Sequence, residues 1–215
     1  MAANGERNYR QYCGLAAALD AVGERWTLLV VRELLLGPRR YTELLADLPG
    51  IGTNLLADRL RKLCALGVAV HHEDGYRLGP AGDGLRAVVL DLSKWGIGLL
   101  GEPTEDMVTR AHWALLAVQA MADASDRPDL RESYEFQVAD EVFHLRVTGG
   151  VVRTLRGPAD DAVLRIRTDP TTFVRIGAGV VGPFEALASG ALEFTGEPDA
   201  VLRCAAVLGL TGRRP

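Results

Sequence analysis

Cysteine, histidine, lysine and aromatic residues are all scarce in this chain. The three cysteines, Cys13, Cys64 and Cys204, form neither a Cys-x-x-Cys pair nor an even set. A disulfide framework is therefore not expected, and a reducing, cytoplasmic setting is. Of the four histidines, His71 and His72 are adjacent on a predicted strand and point opposite ways, while His112 and His144 have no cysteine or carboxylate at a helical metal-ligand spacing. No metal site is expected. There is no Gly-x-Ser-x-Gly elbow and no phosphate-cradling glycine loop, so neither catalytic residues nor a cofactor are expected, and the chain does not read as an enzyme. Apolar runs such as 26–31 and 114–118 fall far short of the roughly 20 residues that cross a bilayer. No charged-then-apolar leader opens the sequence, so no membrane partner is expected.

What is present is enough apolar sequence for a large core: 48% of 215 residues are hydrophobic and 24% are charged. That length suits two domains of about 100 residues each. The charge is unevenly shared, with 12 basic and 12 acidic residues in 1–102 but 12 and 16 in 103–215. The acidity belongs to the second part. "GEPTED", from Gly101 to Asp106, combines a helix-stopping glycine, a proline and a fresh acidic start, and it places the boundary between domains 1–102 and 103–215.

In the first part, Arg25 to Leu36 is nearly all apolar and stops at Gly37-Pro38, the exit of a buried helix. A short helix is predicted from Arg40 or Tyr41 to Leu48, then a tight turn at Pro49-Gly50-Ile51-Gly52. A longer helix then runs to about Leu66, with the Thr53 hydroxyl as its cap. At 100° per residue, Leu56, Leu60 and Leu63 face one way, while Asn54, Ala57, Asp58, Arg61 and Lys62 face the other, with Thr53 at the leading end. Arg59 falls at the edge of the apolar stripe, where an internal ion pair is expected. Arg39, Arg40, Arg59, Arg61 and Lys62 outnumber Glu43, Asp47 and Asp58, which makes a local positive patch in an acidic chain. "VAVHHEDGYRLG" then gives two strands around Asp74-Gly75, a wing in which Arg77 is the one cation.

These residues resemble the HxlR family of winged-helix bacterial regulators over about 9–100. The likeness rests on the Tyr-x-x-Tyr-Cys lead-in at Tyr9, Tyr12 and Cys13, the Gly-x-x-Trp pattern from Gly23, the Gly-Pro-Arg-Arg-aromatic step at Gly37 to Tyr41, and the Leu-Pro-Gly-Ile turn. The resemblance implies a homodimer on double-stranded DNA with a pseudo-palindromic operator, paired through the N-terminal segment and a helix from about Pro80 to Leu100. Its two recognition helices would sit about 34 Å apart in successive major grooves. It also makes Cys13 a possible redox-sensing residue. The chain departs from the family pattern at Cys13-Gly14 and at Thr53-Asn54, where relatives carry Cys-Pro and a Ser-Pro-Arg/Lys start.

The second part is expected to open on a helix from Thr104 to Ala124 that is apolar on two sides. Tyr134, Phe136 and Val138 alternate with Glu135 and Gln137, and Phe143, Leu145 and Val147 alternate with His144 and Arg146, as strands do. Gly149-Gly150 reads as a hairpin turn. After the alternation at 164–168, Asp169-Pro170 marks a cap and a first helical proline. A helix with Phe173 and Ile176 follows, then one at Pro183–Ala188, a strand at Ala191–Thr195 and a final helix from Pro198 to about Leu208. "PFEALASGALEFTGEPDAVLR" resembles the end of sterol-carrier-protein-like domains, and the likeness spans about 104–215. It implies an apolar tunnel, with Phe136, Phe143, Phe173, Ile176, Phe184 and Leu187 as its walls.

The expected fold class is α+β, an N-terminal winged helix-turn-helix followed by a sterol-carrier-like antiparallel sheet covered by helices. The expected function is a DNA-binding regulator, a repressor, whose output is modulated by an apolar small molecule in the second domain. DNA contacts are assigned to Arg39, Arg40, Thr53, Asn54, Ala57, Asp58, Arg61, Lys62 and Arg77. Two alternatives are a redox-responsive regulator working through Cys13, and a carrier of hydrophobic molecules whose helix-turn-helix serves only dimerisation.

Overall fold

The structure, a computed structural model, describes residues 8–211; residues 1–7, part of the stretch on which the leader expectation rests, lie outside it. The chain forms two units, one ending at Val89 and the other beginning at Leu90. Among the described residues no helix is long and apolar enough to cross a membrane.

The first unit holds α1 (Gly14–Val22), α2 (Thr27–Leu35), α3 (Tyr41–Asp47), α4 (Thr53–Ala65), β1 (Ala69–His72), β2 (Gly75–Leu78) and α5 (Pro80–Asp83). Its core is the apolar side of these helices, including Val30, Leu34, Leu44, Leu56, Leu60 and Leu63, all buried. Each such side chain removed from water contributes about 1.5–3 kcal/mol. α2 starts two residues after the expected Arg25, because Trp26 has φ 79° and cannot belong to a right-handed helix. The Trp26 ring lies beneath the α3–α4 turn, against Gly50. Thr53 is the first helical residue of α4 rather than its cap; that position falls to Gly52, and no side chain caps it.

β1 and β2 pair antiparallel as expected, with Ala69 opposite Leu78 and His72 opposite Gly75. The two turn residues are Glu73 and Asp74, and Gly75 already begins β2. A third rung is added by the segment before α3: Arg39 and Tyr76 exchange N–H···O bonds of 2.8 Å in both directions. The approach is so close that a β-carbon on Gly75, whose φ is +130°, would stand 2.5 Å from the Arg39 carbonyl oxygen.

The expected helix from Pro80 to Leu100 is broken at Gly84 into α5 and α6 (Leu85–Ile97), and the Val89–Leu90 division falls inside α6. The expected Thr104–Ala124 helix is shorter still: α7 is Trp113–Met121. Thr104 instead bonds its hydroxyl to the Asp106 carboxylate at 2.5 Å, and its carbonyl takes the Met107 N–H in a turn. This local bonding competes with helix, and Met107 and Val108 are left exposed.

The second unit is built on five strands, β3 (Arg131–Val138), β4 (Glu141–Thr148), β5 (Val151–Arg156), β6 (Ala162–Thr168) and β7 (Leu192–Gly196), in the order β5-β4-β3-β6-β7. The sheet is mixed, not antiparallel throughout, because β6 lies parallel to β3. The cause is a crossover at 157–161 that carries the chain from the β5 edge to the far side of β3. Gly149-Gly150, both at positive φ, turn β4 into β5 as expected. Asp169 caps α8 (Pro170–Ala178) by accepting the N–H groups of Thr171 at 2.8 Å and Thr172 at 3.0 Å. α9 (Pro183–Ala188) and α10 (Pro198–Val207) complete the unit.

One face of the sheet, with Phe136, Ile166 and Phe194, meets α7 to α10. Arg203 of α10 fastens that layer to Glu132 of β3 at 2.8 Å. The crossover lies over the opposite face. There His144 Nδ1 donates to the Gly157 carbonyl at 2.9 Å, Glu135 accepts the Ala159 N–H at 2.8 Å, and Arg165 donates to the Ala159 carbonyl at 3.1 Å. His144 is on the face opposite Phe143, as the alternation places it, and is buried there.

Candidate nucleic-acid interface and apolar cavity

Two places gather the residues singled out from the sequence, one in each unit. In the first, the buried side of α4 carries Leu56, Leu60 and Leu63, and the opposite side exposes Thr53, Asn54, Ala57 and Arg61. Asp58 and Lys62 are half-buried beside them. A packed helix with a polar face turned outward can present side chains to base edges.

The charges on that face are already organised. Arg59 points inward, with Nη1 at 2.5 Å from Glu24 and 2.9 Å from Asp58, and Nε donating to the Arg25 carbonyl. It braces α4 against the α1–α2 turn, the internal ion pair expected of it. Asp58 also holds Arg61 at 2.9 Å and Lys62 at 3.8 Å, and Lys62 reaches Glu24 at 3.1 Å. Arg61 keeps 72% of its side chain exposed, so its bond to Asp58 is the kind of surface pair worth about 0–1 kcal/mol and is readily exchanged for a phosphate or a base.

The three remaining cations differ. Arg40, at the start of α3, is exposed, and its guanidinium has no ion pair among the described residues; its N–H is taken by Glu43 at 2.6 Å. Arg39 is tied into the wing sheet by its backbone, with Nε 3.8 Å from Asp47. Arg77 on β2 leans on Asp74 at 3.4 Å. A contact that sequence reasoning missed is Tyr41, whose hydroxyl donates to the Thr53 carbonyl at 2.7 Å and fixes the leading end of α4 to α3. Its sole signal was an aromatic at the first position of α3.

Cys13 stands just before α1, exposed, and the N–H groups of Ala16 and then Leu15 hold its thiol below the ordinary range. Burial pushes Cys64 up, and pushes the fully buried Cys204 far higher.

The second place is a cavity between the sheet and its helices. Phe136, Phe173, Ile176 and Leu187 line it as expected, together with Ile97, Ala117, Met121, Ile166, Phe194 and Cys204. Every lining residue is apolar or a sulfur side chain. Two expected walls lie elsewhere. Phe143 is buried one strand away on the same face, stacked on Phe136 with ring centroids 5.3 Å apart. Phe184 is 56% exposed, because α9 turns Pro183 and Leu187 inward and Phe184 outward. Phe194 was missed, although it shares a face of β7 with Leu192. The enclosed space is about 70 Å³, and it reaches about 750 Å³ only when its open mouth is counted.

Comparison with known proteins identifies a family for the first part of the chain. A family model described as HxlR-like helix-turn-helix matches residues 21–103. An uncharacterized HTH-type transcriptional regulator of Mycobacterium tuberculosis (strain CDC 1551 / Oshkosh) is 39% identical over 104 residues, 44% of this chain and 64% of that protein. The chain thus spans under two thirds of that relative's length. The uncharacterized HTH-type transcriptional regulator YvaP of Bacillus subtilis (strain 168) is 32% identical over 85 residues, 36% of this chain and 79% of YvaP. Among solved structures, quinone-bound YodB of B. subtilis is 29% identical with a TM-score of 0.36, covering 38% of this chain and 93% of YodB.

Proposed function

This chain belongs to the HxlR-like helix-turn-helix family through residues 21–103, and on that premise we propose that it is a transcriptional regulator, a dimeric repressor whose grip on DNA is set by an apolar effector. The functional division is 1–102 for DNA binding and dimerisation and 103–215 for sensing, since the family match runs through α6 to residue 103. The observation that carries the DNA reading is the outward face of α4, with Asn54, Ala57 and Arg61 exposed over a buried leucine stripe. Asn54 and Arg61 read base edges, and Arg40, with Arg39 and Arg77 behind it, meets phosphates.

Dimerisation is supported by α6. Val88, Leu92, Trp95 and Leu99 recur at i, i+4, i+7 and i+11, so Val88, Leu92 and Trp95 mark one face of α6, Leu99 follows just past its end, and all four are exposed. Tyr12, Leu15 and Leu19 do the same around α1. A second copy covers these apolar stripes and sets the recognition helices one DNA turn apart, on a pseudo-palindromic operator.

The sensing reading rests on the cavity and on the sterol-carrier-like pattern of the second part. Its small enclosed volume means that an effector enters by moving the helices that wall it, which is what a switch requires. The deciding experiment is binding of the full chain to the DNA upstream of its own gene, titrated with salt and with a panel of apolar compounds. Arg61→Ala should weaken the operator by roughly 1–3 kcal/mol, Asn54→Ala should also relax base preference, and Arg40→Ala should weaken all DNA alike with a shallower salt slope. Folded, dimeric variants that bind as the parent does would overturn the assignment. Uptake of apolar compounds without any DNA binding would make the chain a carrier.

The exposed, thiolate-favouring Cys13 supports a second reading, release of DNA on oxidation. Mild oxidant should then release DNA from the parent but not from Cys13→Ser.

A further inference from the structure

A ligand lying wholly inside the cavity finds no hydrogen-bonding side chain, because its lining is apolar throughout. Two of its walls, Met121 at the end of α7 and Leu208 just past α10, also line a second depression, of about 460 Å³, in the same unit. This one is polar, with Lys94 of α6 and Asp123, Ser125, Asp126 and Arg127 of the α7–β3 connection around it. Met121 and Leu208 therefore border both an apolar space and a polar one. Methionine, unbranched and with three rotatable bonds, is an easily displaced wall.

The polar groups of the depression are unequally committed. Asp123 accepts the Ser125 N–H at 2.9 Å; that bond, then the Ser125 hydroxyl, and more weakly Lys94 and Arg127 hold its carboxyl below the usual range. Asp126 is paired with Arg127. The carbonyls at the end of α10 are taken too: Val207 accepts from Asp123, Ala205 from Leu210 and Ala206 from Gly209. Lys94 is different. Its ammonium is exposed and has no hydrogen bond or salt bridge among the described residues.

We propose that the effector is a single-chain anionic amphiphile of the long-chain carboxylate class, with its alkyl chain in the cavity, its carboxylate on Lys94, and its neck between Met121 and Leu208. This rests on the reading of the cavity as an effector site. An enclosed volume of about 70 Å³ is well below the roughly 300–1,000 Å³ of pockets that swallow a ligand whole, so the chain enters only as the walling helices move apart, and its head stays outside. Lys94 and Ile97 are one turn apart on α6, so head and tail both press on the helix whose other side carries Leu92 and Trp95. Occupancy is thereby read by the helix assigned to the dimer seam.

The test is binding of dodecanoate, dodecanol and dodecylammonium to the full chain, each below its micelle threshold. Dodecanoate should bind about tenfold tighter than dodecanol, and dodecylammonium the most weakly. Lys94→Gln should bring dodecanoate down to the alcohol's affinity without changing the alcohol, and Lys94→Arg should restore the preference; melting of both variants checks their fold. A preference for the ammonium, or a carboxylate preference that survives Lys94→Gln, would overturn the head-group assignment and leave the cavity reading standing. Failure of all three compounds to bind would overturn both.

Discussion

Gly75 is a residue with no freedom to change. Its φ of +130° disfavours any L side chain, and a β-carbon would run into the Arg39 carbonyl and the Arg40 backbone. Gly75→Ala should therefore pull the α3 entry away from β2 and cost on the order of 1–3 kcal/mol, read as a lower melting temperature. Because Arg40 moves with that segment, affinity for all DNA should fall as well. The cysteines give a second residue-scale prediction. Cys13, with its thiol lowered by two N–H groups, should be alkylated by iodoacetamide at a pH below the ordinary thiol range. Cys64 should need a higher pH, and Cys204 should react only on unfolding. Equal rates for Cys13 and Cys64 at neutral pH would contradict the lowered Cys13 thiol.

Much was legible at this scale where one helix decides the outcome. The exposed side of α4 and the inward turn of Arg59 follow from 100° per residue alone. Phe184 was misread because a six-residue helix has too few turns for its periodicity to choose between Phe184 and Leu187. The burial of His144, on the face that alternation gives it, was not legible for a different reason: it comes from a crossover that no local pattern announces.

At the scale of elements, α6 exposes a run of apolar side chains, with Trp95 at 65%. Trp95→Asp should leave each protomer folded, since that side chain is largely exposed, and should shift sedimentation to the monomer. Operator affinity should collapse with it, because two half-sites are then bound by independent molecules. A dimer that survives this change would remove α6 from the seam. Element boundaries were read best where chemistry marks the end: Pro183 to Ala188 and the Asp169-Pro170 start were both read correctly. They were read worst at Thr104–Ala124, where alanine-rich apolar sequence continued the helical pattern upstream past a polar turn that terminates it.

For the whole molecule, an effector can change DNA binding only by favouring one arrangement of the paired recognition helices. DNA and effector must then shift each other's affinity by the same factor, about 5–150-fold for a coupling of about 1–3 kcal/mol. Leu187→Asp, which puts a carboxylate on the cavity wall, should abolish effector uptake and the DNA response together while the operator is still bound. Phe184→Asp, on the exposed side of the same helix, should change neither. Thermal melting separates loss of uptake from loss of fold. Loss of uptake in Phe184→Asp alone would move the site out of the cavity. Strand content was legible from alternation, but strand order was not, because pairing across 30 residues leaves no periodic trace in the sequence.

That order has a consequence for synthesis. β3, β4 and β5 are a meander whose contacts are local, and they can form as soon as Arg156 has been made. The neighbour on the other side of β3 is β6, which arrives only after the crossover. In the interval β3, the middle of the finished sheet, is a ribosome-bound edge with Tyr134, Phe136 and Val138 on its apolar face and a full row of unpaired N–H and C=O groups. The same topology that gives the mature protein its continuous floor thus exposes an apolar strand during translation. The nascent chain should engage holdase chaperones most strongly in the window before residue 168 leaves the exit tunnel.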